Sequence, residues 1–354
     1  MKHLVIDRRV VRNNLRAIKE RAEGAAIYAE LSANASGMGL LDIAKLLRED
    51  GVRYFAVSDP KDAADLRSNG FTEETIMMLR STADPQEIAE LIDLNVIFTV
   101  GSYDAAVAVN GLAEARKTVA EVQIKVDTGL GRYGFLPTET DKMASIFKYM
   151  SSLAIIGMFT TYAASATSKK LTEQQFSLFE QVLDRITELG FEPGVAHICD
   201  SAALFKYDFG LMDAVRVDTA LSGRIPGKSV PGISKVGYIE AGIEEIGWFP
   251  KGYRIGGERR HVMKKPTKIA VLSVGYYHGF GVDHHISERS FIDLLRRRKS
   301  VLYVRLGGQR ARVLGNVGMM HTLVDVTNIE CAVGDPVILD ANPINVKGLP
   351  IFYL

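Results

Sequence analysis

At 354 residues the chain is long enough for about two domains of ordinary size. Its 43 basic and 42 acidic side chains nearly cancel, which excludes a global field that would recruit nucleic acid or an anionic membrane. A hydrophobic fraction of 47% with 24% charged residues is ordinary for a globular protein, and no window approaches the roughly 18 apolar residues of a membrane span. The opening MKHLVIDRR reaches a charge after three consecutive apolar residues, so no signal peptide is expected. Two cysteines, Cys199 and Cys331, make no disulfide framework, which suits a reducing cytoplasm. The basic cluster Arg296-Arg297-Arg298-Lys299 lies beside Glu288 and Asp293 and reads as a solvated helix end rather than a phosphate patch.

In chain order, a short strand is expected at 4–6, and Asp7 opens a helix through Val11, Leu15 and Ile18. Apolar, β-prone runs then follow at 25–31, 53–58, 75–80, 96–100, 120–127, 154–160, 194–199 and 214–218. Amphipathic segments lie between them at 41–50, 61–68, 84–94, 104–116, 138–150 and 173–189. Near-continuous apolar strands alternating with helices indicate a parallel sheet buried on both faces. Eight such units in about 200 residues favour a closed (β/α)8 TIM barrel over an open sheet. Beyond Gly227 the period changes. Short β-like runs at 230–240, 268–274, 301–305, 310–314, 323–326 and 337–339 are separated by Gly, Asn and Pro turns, with one helical pattern near 288–297. The expected organisation is an α/β barrel over 8–227 and a mostly β C-terminal domain over 228–354, completed by strand 4–6.

Polar residues collect where the barrel strands end, which is where such barrels build their sites. Strand one ends in Ser32 and Asn34, and strand five in Lys125 and Asp127, followed by the loop TGLGRYGF (128–135). Strand six ends in Thr160, Thr161 and Tyr162, strand seven carries His197, Asp200 and Ser201, and strand eight carries Arg216 and Asp218. Polar strand ends occur in any barrel, but five such loops together define a pocket. Asp283-His284-His285 reads as an exposed loop rather than a metal site, because adjacent histidines point apart. Gly37 and Gly39 read as a barrel turn rather than a nucleotide-binding loop.

The wording of these ends resembles a known family. SANASGMG (32–39) is similar to the K-A-N-A-Y-G-H-G signature after the first barrel strand of alanine racemases, whose lysine carries pyridoxal phosphate as a Schiff base. KVDTGLGRYGF (125–135) is similar to the family's K-x-D-T-G-M-x-R-x-G segment. The resemblance then implies that Lys125 matches a lysine often carbamylated, and that Arg132 matches an arginine contacting the cofactor's phenolate oxygen and the substrate carboxylate. Arg216 in AVRVDTALSG matches the arginine that donates to the pyridine nitrogen, and Ser201 matches the phosphate serine. In the second domain, VGYYHGFG (274–281) resembles G-Y-A-D-G and makes Tyr276 the family's second base; GNVGMMHTLVDV (315–326), with Met319, resembles the C-M-D-Q segment; Tyr353 matches a terminal tyrosine near the phosphate. The resemblance implies a head-to-tail homodimer, in which Tyr276 reaches the other subunit's barrel mouth.

The departures fall where the cofactor would sit. The Schiff-base lysine is Ser32, the phosphate tyrosine is Ser36, the following histidine is Met38 and the histidine after strand six is Thr161. An asparagine on strand seven is Asp200, and R-P-G-I after strand eight is Arg216-Val217-Asp218-Thr219. Ser32 cannot form an aldimine, and it has too high a pKa to serve as a base without an activator. Two carboxylates near a dianionic phosphate repel it by several kcal/mol each at about 4 Å and intermediate dielectric, although backbone N–H groups could still bind phosphate if those side chains turn away. The expectation is therefore a catalytically degenerate homologue that binds a small amino acid or anion, or a protein partner, with no cofactor. The alternatives are an active racemase holding pyridoxal 5'-phosphate noncovalently, and a recruited barrel enzyme using Lys125 and Tyr276. Lys125 is favoured as a partner of Arg132 through a bound anion or carbamate over an imine-forming role, and the lesser reading of Tyr276 is a packed aromatic in a Tyr-Tyr-His cluster. The expected partner is a second copy of the chain, with pairing to an active racemase as the variant reading.

Overall fold

The structure is a computed structural model, and it describes residues 2–227, 229–256, 261–282 and 301–354. The basic cluster at 296–299, the Asp283-His284-His285 run and the helical pattern at 288–297 lie outside the described residues. The chain divides into two units, Met1–Arg9 with Lys235–Leu354, and Val10–Ser234. The division falls seven residues later than the boundary expected at 227/228.

The Val10–Ser234 unit is a closed barrel of eight parallel strands. They are β2 (Ala26–Glu30), β3 (Tyr54–Val57), β4 (Thr75–Ser81), β5 (Ile97–Val100), β6 (Ala120–Lys125), β7 (Leu153–Phe159), β8 (Val195–Cys199) and β9 (Ala214–Val217). The ring closes where β2 pairs with β9, with Tyr28 opposite Arg216. Helix α1 (Arg8–Ala22) precedes the barrel, and its Asn14 amide is held by the Leu221 and Ser234 carbonyls, which ties α1 to the end of the barrel segment. A five-residue turn, α2 (Ser32–Ser36), follows β2. The outer helices are α3 (Leu40–Glu49), α4 (Pro60–Ser68), α5 (Pro85–Asp93), α6 (Tyr103–Ala115), α7 (Thr140–Tyr149), α8 (Lys169–Glu188) and the short α9 (Ser201–Lys206).

Several of these helices start where the sequence provides a cap. Asp59 accepts from the Lys61 N–H ahead of Pro60, and Asp84 accepts from the Gln86 and Glu87 N–H groups ahead of Pro85. A carboxylate takes donors that the helix leaves free, while proline supplies the first helical φ without needing its missing N–H. Ser168 caps α8 in the same way, so that helix begins at Lys169 rather than at the expected 173.

The other unit is an antiparallel sheet apart from one pair. It contains β1 (Lys2–Ile6), β10 (Tyr238–Phe249), β13 (Thr267–Leu272), β14 (Tyr303–Leu306), β15 (Gln309–Val313), β16 (Thr322–Asp325), β17 (Pro336–Asp340) and β18 (Ile351–Tyr353). β11 (Arg254–Ile255) and β12 (His261–Val262) form a separate two-stranded pair. β10 pairs with both β17 and β13, so the sheet curls back on itself around Ile239, Leu272, Phe280 and Leu339. The strand expected at 230–240 is displaced: β10 begins only at Tyr238. Pro231, Gly232 and Gly237 precede it, and only glycine suits position 237, where φ is +86° and a Cβ would meet Pro343 at 2.4 Å. β18, not anticipated from the sequence, pairs in parallel with β1 and sets Tyr353 opposite Ile6.

Gly157 on β7 shows how the barrel makes room for its polar interior. A Cβ there would lie 2.5 Å from the Val195 carbonyl oxygen and 3.1 Å from the Gln123 side chain. The Val195 contact is backbone of the neighbouring strand and cannot yield without opening the β7–β8 pairing. Gly157→Ala should therefore destabilise the protein by about 1–3 kcal/mol, measured as a shift of the urea midpoint at unchanged slope. A midpoint equal to that of the parent would show that the β7–β8 spacing is looser than described.

Candidate functional site

Inside the barrel the sequence places polar and aromatic side chains on the interior of five strands, and they form one connected stack. His197 is fully buried and lies between two rings, 5.2 Å from Tyr28 and 5.0 Å from Phe159, nearly parallel to both. Arg216 Nη1 is 2.7 Å from His197 Nδ1, and because a guanidinium only donates, Nδ1 accepts. Nε2 then carries the proton and donates to Gln123 Oε1 at 2.6 Å, and the Gln123 amide donates to the Tyr28 hydroxyl at 3.3 Å. Burial, followed by the adjacent Arg216 charge, holds His197 well below its ordinary pKa, so it stays neutral. Arg216 Nη2 donates to the Thr160 carbonyl and to Thr161 Oγ1, and the guanidinium lies 4.9 Å from the Phe159 ring centroid.

Above this stack lies a charged cluster comprising Glu30, Lys125, Arg132, Arg216 and Asp218. Glu30 is half-buried at the end of β2, and burial followed by the nearby Asp218 raises its pKa to about 7, although Arg216, Arg132 and Lys125 pull it down. Lys125 ends β6 and is only 4% exposed. Burial, then Arg216 and Arg132, lower its pKa to about 8, against the opposing pull of Asp127 and Glu30. Its Nζ makes no hydrogen bond or ion pair among the described residues, and it sits 5.6 Å from the ring centroids of both Tyr133 and Phe159. Arg132 is exposed and has no hydrogen-bond or ion-pair partner among the described residues either.

The loop that carries Arg132 is fixed by Asp127. One carboxylate oxygen accepts from the N–H groups of Gly129, Leu130 and Gly131. Burial alone would raise the Asp127 pKa, but these donors outweigh it and the group titrates low. Gly134 then closes the loop at φ +109°, with a Cβ there only 2.7 Å from the Asp127 nitrogen.

Ser32 opens a turn in which Ala33, Asn34, Ala35 and Ser36 all have φ between +53° and +58°. A left-handed run of non-glycine residues costs roughly 1–2 kcal/mol per residue. It is held by the Asn34 side chain accepting from the Leu40 N–H and by the Gly37 and Gly39 amides bonding back into the turn. The Ser32 hydroxyl meets the Ser58 hydroxyl at 2.9 Å. No base touches it, so it is not an activated nucleophile.

Ser201 and Asp218 face each other on neighbouring strand ends. The Ser201 hydroxyl donates to Asp218 Oδ1 at 3.0 Å and accepts from the Asp218 and Ala220 N–H groups at 3.0 and 3.1 Å. Asp200, expected to face a phosphate, instead caps α9: one oxygen accepts from the Ala202 and Ala203 N–H groups, and the other accepts from Ser165. That expectation is corrected because a carboxylate immediately before a helix is better satisfied by the helix's free N–H groups.

The remaining expected residues lie in the other unit. Tyr276 and Tyr277 are 52% and 53% exposed in a 3₁₀ turn whose N–H groups donate to the Gly318 and Met319 carbonyls. Tyr276 is thus not a packed core aromatic within the chain, and Met319 is itself 57% exposed beside it. Tyr353 lies on β18 with the Arg8 guanidinium 4.8 Å from its ring centroid. No metal-holding group of His, Cys, Asp or Glu occurs among the described residues, and no described helix is long and apolar enough to cross a membrane.

The profile of the alanine racemase N-terminal domain matches residues 6–226, and that of the C-terminal domain matches 236–348. The chain belongs to the alanine racemase family. It is 31% identical over 338 residues to an alanine racemase of Methylacidiphilum infernorum, covering 94% of this chain and 82% of that one. An alanine racemase of Clostridium tetani is 32% identical over 334 residues, covering 92% and 82% of the two chains. The fold is shared with the alanine racemase from the D-cycloserine producer Streptomyces lavendulae, with a TM-score of 0.87 and 23% identity over 100% of this chain and 97% of that one.

The residues in hand do not fit pyridoxal phosphate as an aldimine at position 32. Ser32 has no amine, and the Ser201 hydroxyl and the Asp218 and Ala220 N–H groups are turned toward one another and a carboxylate rather than left for an anion. Within the cluster, Glu30 is the residue that sequence reasoning missed. Its signal was a lone acid in the apolar run AIYAEL, two residues from Tyr28 and so on the same interior face.

The raised Glu30 pKa fixes the sign of a stability effect. Between pH 4.5 and about 7 the folded chain holds a proton that the unfolded chain has lost, so stability falls as pH rises through this window. Glu30→Gln should match the parent's thermal midpoint near pH 4 and exceed it above pH 7, with the gap opening across the window. Equal midpoints at pH 8 would mean that Glu30 is solvated or paired well enough to ionise at no cost.

Proposed function

We propose that the barrel site binds a small amino acid or a related carboxylate, and that it does so without an aldimine at position 32. The observation that carries this reading is the pairing of cations with a chemically inert strand-one end. Lys125 and Arg132 present unpaired positive charge to the cluster, whereas Ser32 only meets Ser58. A guanidinium and an ammonium converging from β6 and its following loop suit a carboxylate, and the low exposure around Lys125 strengthens that attraction relative to open water. Arg216 supports the site indirectly, since its donors are taken by His197, Thr160 and Thr161. On this reading the chain is a catalytically degenerate member of its family.

A second reading is supported by the comparisons, and more directly than loss of activity is: the relatives at 31% and 32% identity are named alanine racemases. Family membership does not support the expected absence of a cofactor. This reading is an alanine racemase that holds pyridoxal phosphate without Ser32, with Tyr276 as a base. An absorbance scan after adding pyridoxal phosphate, together with chiral analysis of L-alanine incubated with the protein, separates the two. The first reading expects no Schiff-base band and no D-alanine above background, with L-alanine binding weakened at least tenfold by Arg132→Ala. A band together with D-alanine production would establish the second. Ser32→Lys alone should restore little racemisation, because the Ser201–Asp218 contact would remain.

We also infer that the chain pairs with itself, and that it works in the cytoplasm, as two free cysteines suit. What supports pairing is the exposed Tyr276-Tyr277 pair, since adjacent half-exposed aromatics mark an interface more often than a free surface. Light scattering should return twice the 38.9 kDa chain mass, and Tyr276→Glu should shift the protein toward monomer. A monomer at micromolar concentration would remove this proposal. Assembly only with an added active racemase would replace self-pairing by heterodimer formation.

A further inference from the structure

Lys125 is a buried amine with aromatic walls and no hydrogen-bond or ion-pair partner among the described residues. The fully shielded side-chain N and O atoms without a hydrogen-bond partner among the described residues are Asp50 Oδ2 and the Tyr162 hydroxyl, so Lys125 Nζ keeps some contact with the surface. Its approach is bounded by Tyr133 and Phe159, each 5.6 Å from the nitrogen to the ring centroid. Two arginines belong to the same cluster, one of them exposed and unpaired. Two carboxyls act on the Lys125 amine, Asp127 and, half-buried at the end of β2, Glu30, while Asp218 acts on Arg216 and Glu30 in the same cluster.

We infer that Lys125 is a covalent capture site, whose amine condenses with the carbonyl of a small 2-oxo acid while Arg132 holds the acid's carboxylate. This rests on the reading that the site takes a small carboxylate, and it names the class. The Nζ lone pair attacks the carbonyl carbon and forms the C–N bond as the C=O π pair moves onto oxygen, which takes up a proton. The nitrogen gives up a proton to leave the neutral carbinolamine, its lone pair forms C=N as the hydroxyl leaves as water with a proton from Glu30, and the resulting iminium returns one proton to the Glu30 carboxylate. One amine and one carbonyl compound give one imine and one water, with no oxidant or reductant.

The sequence favoured an anion-bridged role for Lys125 over an imine, and the surroundings reverse that order. Attack requires the neutral amine. A lysine that titrates at about 8 is neutral in about a tenth of molecules at pH 7, against well under one in a thousand for an ordinary lysine. The same burial that lowers this value leaves the ammonium form without a counter-ion in contact, so conversion to a neutral imine relieves an unpaired buried charge.

The test is borohydride trapping of the full chain in pyruvate, with peptide mapping by mass spectrometry, beside a parallel incubation in pyridoxal phosphate. The expected result is a reduced pyruvyl adduct on the peptide containing Lys125, exceeding that on any other lysine at least tenfold and increasing as the pH is raised from 6 to 8. Lys125→Arg should abolish it, and Glu30→Gln should slow it at least fivefold in protein whose thermal midpoint shows it is folded. Adducts spread over surface lysines would overturn the inference, as would modification of Lys125 by pyridoxal phosphate and not by pyruvate. If pyruvate binds by ligand-observed NMR but leaves no adduct, the inference fails and the carboxylate-binding reading stands. If neither pyruvate nor L-alanine binds, both fail.

Discussion

A guanidinium buried in a barrel needs acceptors, and the arrangement around Arg216 follows from that requirement. An unpaired buried charge is costly enough that every neighbour must answer it. Here His197 accepts at one terminal nitrogen, while Thr160 and Thr161 accept at the other. The acceptance fixes the His197 tautomer, which fixes the orientation of Gln123, which in turn points its amide at Tyr28. Four strands are thereby locked to one another by side chains as well as by their backbone ladder. Removing the imidazole would leave both Arg216 and Gln123 seeking partners inside a packed barrel.

The charged cluster above the stack inherits its character from that core. Arg216 contributes positive potential to Lys125 and Glu30, so the lysine loses affinity for its proton while the acid is held down from the value that burial alone would give. A weakly basic lysine and a weakly acidic glutamate then stand near one another around neutral pH, the situation in which proton exchange between protein and ligand needs least driving force. Asp218 belongs to the same field: its carboxylate accepts from Ser201 and helps to raise the Glu30 pKa.

Much of the barrel was legible in the sequence, and the reasons are specific. Eight apolar runs bounded by capped helices leave few alternatives, and Asp59-Pro60 and Asp84-Pro85 mark their helix starts almost unaided. The β unit was less legible. β10 carries Glu240, Glu244, Glu245, Gly242 and Gly247 in a single twelve-residue strand, which breaks the apolar alternation by which strands are recognised. Position by position, the site could be read only as a set of residue types. That Asp200 would turn to cap α9, while Asp218 would turn to Ser201, depends on which N–H groups each side chain meets in three dimensions. Glu30 was hidden by a different effect: a strand inside a barrel can carry one acid if distant strands bring it cations, and spacing along the chain does not reveal them.

The proposed site receives a carboxylate at Lys125 and Arg132 while the Ser201–Asp218 contact stays closed. Crystals grown with both L-alanine and pyridoxal phosphate in excess test it most directly, because the two ligands compete to rearrange the same strand ends. The expected result is carboxylate density within hydrogen-bonding distance of Arg132 and Lys125, with the Ser201 hydroxyl still on Asp218 and no phosphate bound to the Asp218 and Ala220 N–H groups. Phosphate density at those N–H groups, with Asp218 swung away from Ser201, would contradict it.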